Sequence, residues 1–291
     1  MSRENQCGAR YHGRLQAVIL DWAGTTVDFG SLAPVRTLQR VFARVNIRLT
    51  EPEVRRDMGL PKKDHIRRIL AMERIRVEWE RVLGHLPGEA EVDELYQHFI
   101  PLQFSCLLEY STFIPGVIEA INRFHRRGLK IGTTTGYTRA MLDLLVEAGR
   151  EAGYVTDCNL CPGDVGAGRP HPFMIYESAV RLLVYPLEAI VKVGDTTADI
   201  QEGLNAGVWT IGVAATGNMV GLSQMEFEAL SAPEREARVA RARAELQRAG
   251  AHYVVDKVSD VDGVLDDIDS HLQSAGRRSG PFKKKSEVLS Q

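Results

Sequence analysis

The chain contains no run of about eighteen or more apolar residues, so it offers no candidate transmembrane helix. Its opening MSRENQCGARYHGR lacks the apolar stretch of a secretory signal, and a cytoplasmic location is the expectation. Charge of one sign is lacking too. With 36 Lys and Arg against 38 Asp and Glu, the net charge is -2, too little to draw the protein to nucleic acid or a membrane surface. The expected partner is therefore a small molecule. Cysteine is scarce, four residues irregularly placed at Cys7, Cys106, Cys158 and Cys161, which does not suggest a disulfide framework. Cys158 and Cys161 form a CxxC, but zinc requires four ligands and no second CxxC or HxxxH completes the set. They read as small residues beside a strand.

What the chain has is 44% hydrophobic and 25% charged residues, enough to bury a full core. Leu15 to Asp21 (LQAVILD) is a short apolar run that ends in a carboxylate and then in the turn and cap chemistry of Gly24, Thr25 and Thr26. It predicts a buried parallel strand. Similar runs return at 129–134, 189–194, 208–213 and 252–256, separated by helical patterns at 115–127, 138–152 and 171–183. That alternation predicts a doubly wound α/β sheet. Between residues 31 and 111 apolar residues recur only at helical spacing, and breaks at Thr50-Glu51-Pro52, Gly59-Leu60-Pro61 and Leu86-Pro87-Gly88 divide the segment into four or five helices. The expected organisation is an α/β core of residues 1–30 and 112–274, interrupted by a helical domain over 31–111. The stretch 275–291, rich in Gly, Ser and Lys and without periodicity, reads as a disordered basic tail.

In open α/β sheets ligands bind where strands end, so residues after the apolar runs are the first suspects. One run ends in Asp21-Trp22-Ala23-Gly24-Thr25-Thr26, another in Thr134-Thr135-Gly136-Tyr137-Thr138, a loop gives Gly168-Arg169-Pro170, and a third run ends in Gly194-Asp195-Thr196-Thr197-Ala198-Asp199. Attack on a phosphoryl group sets an anionic nucleophile against an anionic substrate, so cations and hydrogen-bond donors must cancel the repulsion. These four elements can supply both. Asp21 can attack phosphorus and form an aspartyl phosphate, while Asp21, Asp195 and the Ala23 carbonyl can give oxygen ligands to Mg²⁺, oriented by Asp199. Thr135 and the Gly136 amide can donate to phosphate oxygens, and Arg169 supplies a further cation.

In this order the four elements resemble the motifs of the haloacid dehalogenase (HAD) superfamily, with the helical insert where that family places its cap domain. The implied fold is a HAD-like doubly wound parallel sheet with an inserted helical cap, and the implied cofactor is Mg²⁺. Most phosphatases of the superfamily carry a second aspartate two residues after the nucleophile, as general acid and base. Ala23 stands there, and without that group an ordinary phosphate ester forfeits roughly 10²–10⁴-fold of rate. DWAGTTVD, with MGLPKKDH in the insert and TTGYTR after the second strand, is similar to the phosphonoacetaldehyde hydrolase (phosphonatase) family. The resemblance implies cleavage of the carbon–phosphorus bond of phosphonoacetaldehyde to acetaldehyde and phosphate, in the degradation of phosphonates such as 2-aminoethylphosphonate. A cap lysine forms an iminium with the aldehyde, so that the electrons released at carbon enter an enamine.

By motif alignment that lysine is Lys62, with Lys63 as the alternative register and Met58 and His65 flanking it. The resemblance assigns proton transfer to His65, the aldehyde pocket to Tyr137, and substrate contacts to Met58, Thr135, Gly136 and Arg169. Ser31 stands where some members carry cysteine. The family pairs through its caps, and the apolar stripe of a helix over 34–46 is a candidate surface for a homodimer. Three other readings stay open at this point: a HAD-type phosphatase acting on a small phosphate ester, a non-catalytic HAD-fold binding protein, and a dehalogenase acting at carbon.

Overall fold

The computed structural model describes residues 11–274. After β1 (Ala17–Leu20) come α1 (Leu32–Ala43), α2 (Glu51–Arg55), α3 (Lys62–Leu70), α4 (Glu73–Leu83) and α5 (Glu89–Cys106). Then follow α6 (Val117–Arg126), β2 (Lys130–Thr134), α7 (Arg139–Glu151), β3 (Cys158–Leu160), α8 (Phe173–Leu182), β4 (Ile190–Gly194), α9 (Thr197–Ala206) and β5 (Trp209–Val213). The chain continues through α10 (Gln224–Ala229), α11 (Ala232–Arg248), β6 (Tyr253–Val255) and α12 (Val261–Ser274). All six strands are parallel, in the order β3-β2-β1-β4-β5-β6. The fold is the doubly wound α/β sheet expected of a HAD core.

The sequence of β1 explains its central place. Val18 and Leu20 face one layer, with Ile121 and Phe124 of α6, Met141 and Leu145 of α7, and Leu265 and Ile268 of α12. Ala17 and Ile19 face the other, against Met174, Ile175 and Leu182 of α8. A strand apolar on both faces is stable only under two helical layers, and each fully buried aliphatic side chain contributes about 1.5–3 kcal/mol. The strand order reverses at β1, since β2 and β3 lie to one side and β4 to β6 to the other. A crevice therefore opens at its carboxyl end, the usual ligand site of such sheets.

Helices α1 to α5 enclose an apolar core of their own, with Leu38 and Phe42 from α1, Val54 from α2, Ile66 and Ile69 from α3, Ile75 and Trp79 from α4, and Leu95 and Phe99 from α5. The breaks anticipated at 50–52, 59–61 and 86–88 all fall at or between helix ends. Asp28 starts the insert. Its two carboxylate oxygens accept from the amides of Leu32 (2.9 Å) and Ala33 (3.0 Å), the charge-favoured arrangement at a helix N-terminus. Burial nevertheless pushes its carboxyl up to about 7.

Two expectations are corrected. Cys158 lies within a strand, the three-residue β3, rather than beside one. The helix expected over 34–46 runs from Leu32 to Ala43, and its stripe of Val35, Leu38, Val41 and Phe42 is buried inside the insert, so it presents no surface to a second subunit. The tail expected at 275–291, like Cys7, lies outside the described residues. Phe99 is fully buried at the middle of the insert. Phe99→Ala should lower unfolding free energy by about 3–5 kcal/mol in urea titration, the cost of a large aromatic cavity.

Candidate active site

Asp21 follows β1 directly, Asp195 follows β4, and Asp199 sits in the first turn of α9. Parallel pairing of β1 with β4, Leu20 opposite Val193, brings the first two together. One carboxylate oxygen from each of the three residues lies within 4.8 Å of the others, and all three residues are buried. Glycine is required on both sides of this cluster. A Cβ on Gly24 (φ +87°) would stand 2.3 Å from Asp195 Oδ2, and one on Gly194 would stand 2.3 Å from Asp199 Cγ.

The carboxylates are not in equivalent surroundings. Asp195 accepts only from neutral donors, the Thr25 hydroxyl at 3.0 Å and the Asn218 amide at 2.7 Å. Burial, then repulsion from Asp21 and Asp199, raises its carboxyl well above the usual range. Burial and Asp199 likewise raise Asp21, although Arg169 and Lys192 oppose them. For Asp199 burial works upward as well, but the adjoining Arg169 and Lys192 outweigh it and hold the group below its ordinary value. An all-oxygen, buried set in which one member, Asp195, has no cationic side chain in direct contact among the described residues suits a hard divalent cation. Asp21, Asp195 and Asp199 thus fit a metal site.

Arg169 is buried, and its guanidinium meets Asp21 at 2.8 Å, Asp199 at 3.0 Å, Glu202 at 3.0 Å and the Thr134 carbonyl at 2.7 Å. Burial disfavours its charge, yet Asp199, Asp21 and Glu202 together raise its pKa. It still lines the cavity, though its strongest contacts are to carboxylates. Sequence reasoning missed the layer beneath. Lys192, fully buried in β4, donates to the Thr134 hydroxyl (2.8 Å) and pairs with Asp199 (3.0 Å) and Glu202 (3.4 Å).

The insert closes the site from above. Lys62, at the start of α3, is 6% exposed and lies with its ammonium 5.5 Å from the centroid of the Tyr137 ring, within cation–π range. Burial first, then the nearby Arg169 cation, lowers its pKa to about 8, while Asp21 and Asp28 pull the other way. Lys63 points outward instead and pairs with Asp93. The structure therefore separates the two lysine registers. His65, one turn along α3, has Nε2 2.7 Å from the Val54 carbonyl, which fixes the proton on Nε2. Burial and Lys62 hold the ring down at about 3, so it stays neutral, with Nδ1 buried and unbonded among the described residues.

One small cavity of about 20 Å³ is lined by Asp21, Ala23, Ser31, Met58, Lys62, Thr135, Gly136, Tyr137 and Arg169, with Pro34, Gly59 and Thr196. Three members of the expected set, His65, Asp195 and Asp199, do not line it. Close docking of the insert depends on glycines. A Cβ on Gly136 would meet the Leu60 carbonyl at 2.8 Å, and one on Gly168 would meet Pro61 Cγ at 2.6 Å. Lys192→Met should destabilise the protein by about 3–5 kcal/mol in chemical denaturation, since it strips a buried partner from two buried carboxylates.

A parallel sheet with an oxygen-rich, cation-braced site at this crevice defines a haloacid dehalogenase-like hydrolase, whose family model matches residues 15–207, and a HAD-hydrolase-like model matches 166–261. Relatives narrow the class. Over 256 residues the chain is 44% identical to a phosphonoacetaldehyde hydrolase of Bacillus cytotoxicus, covering 88% of this chain and 97% of that one. Over 262 residues it is 42% identical to one of Syntrophobacter fumaroxidans, covering 90% and 95%. The crystal structure of a phosphonoacetaldehyde hydrolase-like protein from Oleispira antarctica matches with a TM-score of 0.90 and 39% identity, over 94% of this chain and 98% of that one. The chain belongs to the phosphonoacetaldehyde hydrolase family.

Proposed function

We propose that the protein hydrolyses phosphonoacetaldehyde to acetaldehyde and inorganic phosphate through an imine on Lys62 and a phosphoryl group carried by Asp21. The observation that carries this reading is that a buried lysine with its pKa lowered to about 8 shares one small cavity with Asp21. An amine at that pKa is neutral in about one molecule in ten at pH 7, against roughly four in ten thousand for an ordinary lysine. It can therefore attack an aldehyde.

Lys62 Nζ adds to the carbonyl carbon, and loss of water gives an iminium two bonds from phosphorus. His65, whose Nδ1 is unbonded one turn from Lys62, is the residue assigned to proton transfer in that step, and it can act as a base only when opening of the insert relieves the burial that holds its ring at about 3. The Asp21 carboxylate then attacks phosphorus, the carbon–phosphorus bond breaks, and its electron pair moves into the iminium to form an enamine. Protonation at carbon and hydrolysis release acetaldehyde and free Lys62, while water cleaves the aspartyl phosphate to phosphate. Arg169 holds Asp21 in position and faces the phosphonate, with the Thr135 hydroxyl and the Gly136 amide as further donors. Met58 and Tyr137 line the aldehyde end and exclude water. Because the electrons leave through nitrogen, no aspartate is needed where Ala23 stands.

Asp21, Asp195 and the Ala23 carbonyl would hold Mg²⁺, with Asp199 behind them, and the ion when bound supplies positive charge that lets the two anions approach. Pairing of two subunits through the cap remains part of the proposal, and Val77, Leu83, Leu86, Phe104 and Leu108 are exposed apolar groups of the insert.

Purified protein incubated with phosphonoacetaldehyde and Mg²⁺ should release phosphate and acetaldehyde in equal amounts. Phosphate without acetaldehyde, from ester substrates only, would replace this reading with a simple phosphatase. Borohydride added with acetaldehyde should attach the reagent at Lys62. Lys62→Arg should abolish both trapping and turnover despite keeping the charge, because arginine cannot form the imine.

The pH dependence follows from the same amine. Lys62 is protonated and inert below its pKa and nucleophilic above it, so the rate of imine trapping should rise about tenfold per pH unit up to about 8 and then level. A flat profile between pH 6 and 9 would count against the imine. Mg²⁺ should raise the melting temperature of the folded protein in a saturable way, and Asp195→Asn should remove most of that rise.

A further inference from the structure

The cavity holding Asp21 and Lys62 has room for about one water molecule. No aldehyde substrate can enter while the insert sits as it does, so α2 and α3 must lift and return in each cycle. Something must hold the closed arrangement, and the side-chain hydrogen bonds across it, among the described residues, are concentrated on one arginine.

Arg55, the last residue of α2, reaches from the insert into the core. Its Nη1 donates to the Gly30 carbonyl (2.8 Å), the Asn218 carbonyl (3.3 Å) and Asn218 Oδ1 (3.2 Å), and Nη2 donates to the Gly221 carbonyl (3.0 Å). Nε faces Glu51 at 3.3 Å on its own helix. Asn218, fully buried, returns a bond from Nδ2 to the Arg55 carbonyl (3.1 Å), while its main-chain amide is the donor to Asp195 Oδ2. The cradle is shaped for this guanidinium. A Cβ on Gly221 (φ +67°) would come within 2.7 Å of it, and one on Gly30 (φ +84°) would strike the Leu222 carbonyl at 2.1 Å.

We propose that Arg55 and Asn218 are a latch, a pair of positioning residues that holds the helical cap shut over Lys62 and Asp21 and anchors it to the loop that also carries a donor to Asp195. Opening the cap breaks four donor contacts from one guanidinium and the return bond from Asn218 together, so closure has two discrete states rather than a gradual drift. A weaker latch lowers the closed fraction. Apparent substrate affinity falls by that fraction, while turnover at saturation, where substrate itself favours closure, is largely kept.

The kinetic part of this inference rests on the proposed reaction, but the test does not. Trinitrobenzenesulfonate labels accessible amines, and peptide mass spectrometry can follow Lys62 against its half-exposed neighbour Lys63 in the intact protein. In Arg55→Met the Lys62 to Lys63 labelling ratio should rise about tenfold, with KM rising by a smaller factor set by the loss of closed fraction and kcat changing less than about threefold. Asn218→Ala should act in the same direction, and the double variant should exceed neither single effect by the full sum. Arg56→Met, which removes an exposed arginine of the same turn, should leave the ratio unchanged.

A ratio in Arg55→Met within twofold of the unaltered protein overturns the latch, as does an equal rise in Arg56→Met. If Arg55→Met does not fold, Arg55→Lys and Asn218→Ala carry the same labelling test. Deprotection of Lys62 as expected in a protein that leaves phosphonoacetaldehyde intact would keep the latch and end the proposed reaction.

Discussion

Four buried carboxylates, Asp21, Asp195, Asp199 and Glu202, converge at the carboxyl edge of the sheet, and compensating their charge is the constraint that orders the rest of the molecule. Left alone they would take up protons or force the edge apart, since taking an ion from water costs several kcal/mol. Arg169 and Lys192 meet that cost from two sides, each bonded to Asp199, to Glu202 and to the Thr134 hydroxyl. The result is asymmetric. Asp199 is held firmly ionised, whereas Asp195 has only neutral donors, so the uncompensated charge is directed to where a cation is useful.

The same economy explains the lysine. Its lowered pKa comes mainly from burial, and burial exists only while the insert is closed, because Lys62 enters the site from α3 rather than from the sheet. Closure therefore does more than exclude solvent. On the proposed reaction it raises the share of neutral amine while the carboxylate below is within the same cavity, and an open arrangement would lower that share again. Chemistry and domain position are thereby coupled through a single desolvation.

How much of this was legible in the sequence depends on whether a residue's role is local. The strands ending at Leu20, Thr134 and Gly194 announce themselves by apolar runs, and the residues that follow them are exposed to ligand by the topology itself, so Asp21, Thr135 and Asp195 could be named from order alone. β3 escaped because three residues, Cys-Asn-Leu, carry no period. The apolar stripe of α1 was visible, but a stripe does not state whether it faces its own domain or another chain. Lys192 did leave a signal. A lysine inside the run Ala189 to Gly194, on a strand with strands on either side, cannot reach water, and so requires carboxylates nearby. Glu202, one turn beyond Asp199 on the next helix, was the place to look.

Arg55 left no such signal. On a five-residue helix, four positions after a glutamate, it reads as a solvated i,i+4 pair, and that pair does exist. Three of its other bonds are to main-chain carbonyls at Gly30, Asn218 and Gly221, groups every residue possesses, and the fourth is to the side-chain oxygen of Asn218, far along the chain, so sequence does not distinguish them. Asp21, Thr135 and Asp195 are legible because their position follows from strand order. Residues that hold two domains together act through backbone geometry fixed only in the folded chain, and they come into view with the structure.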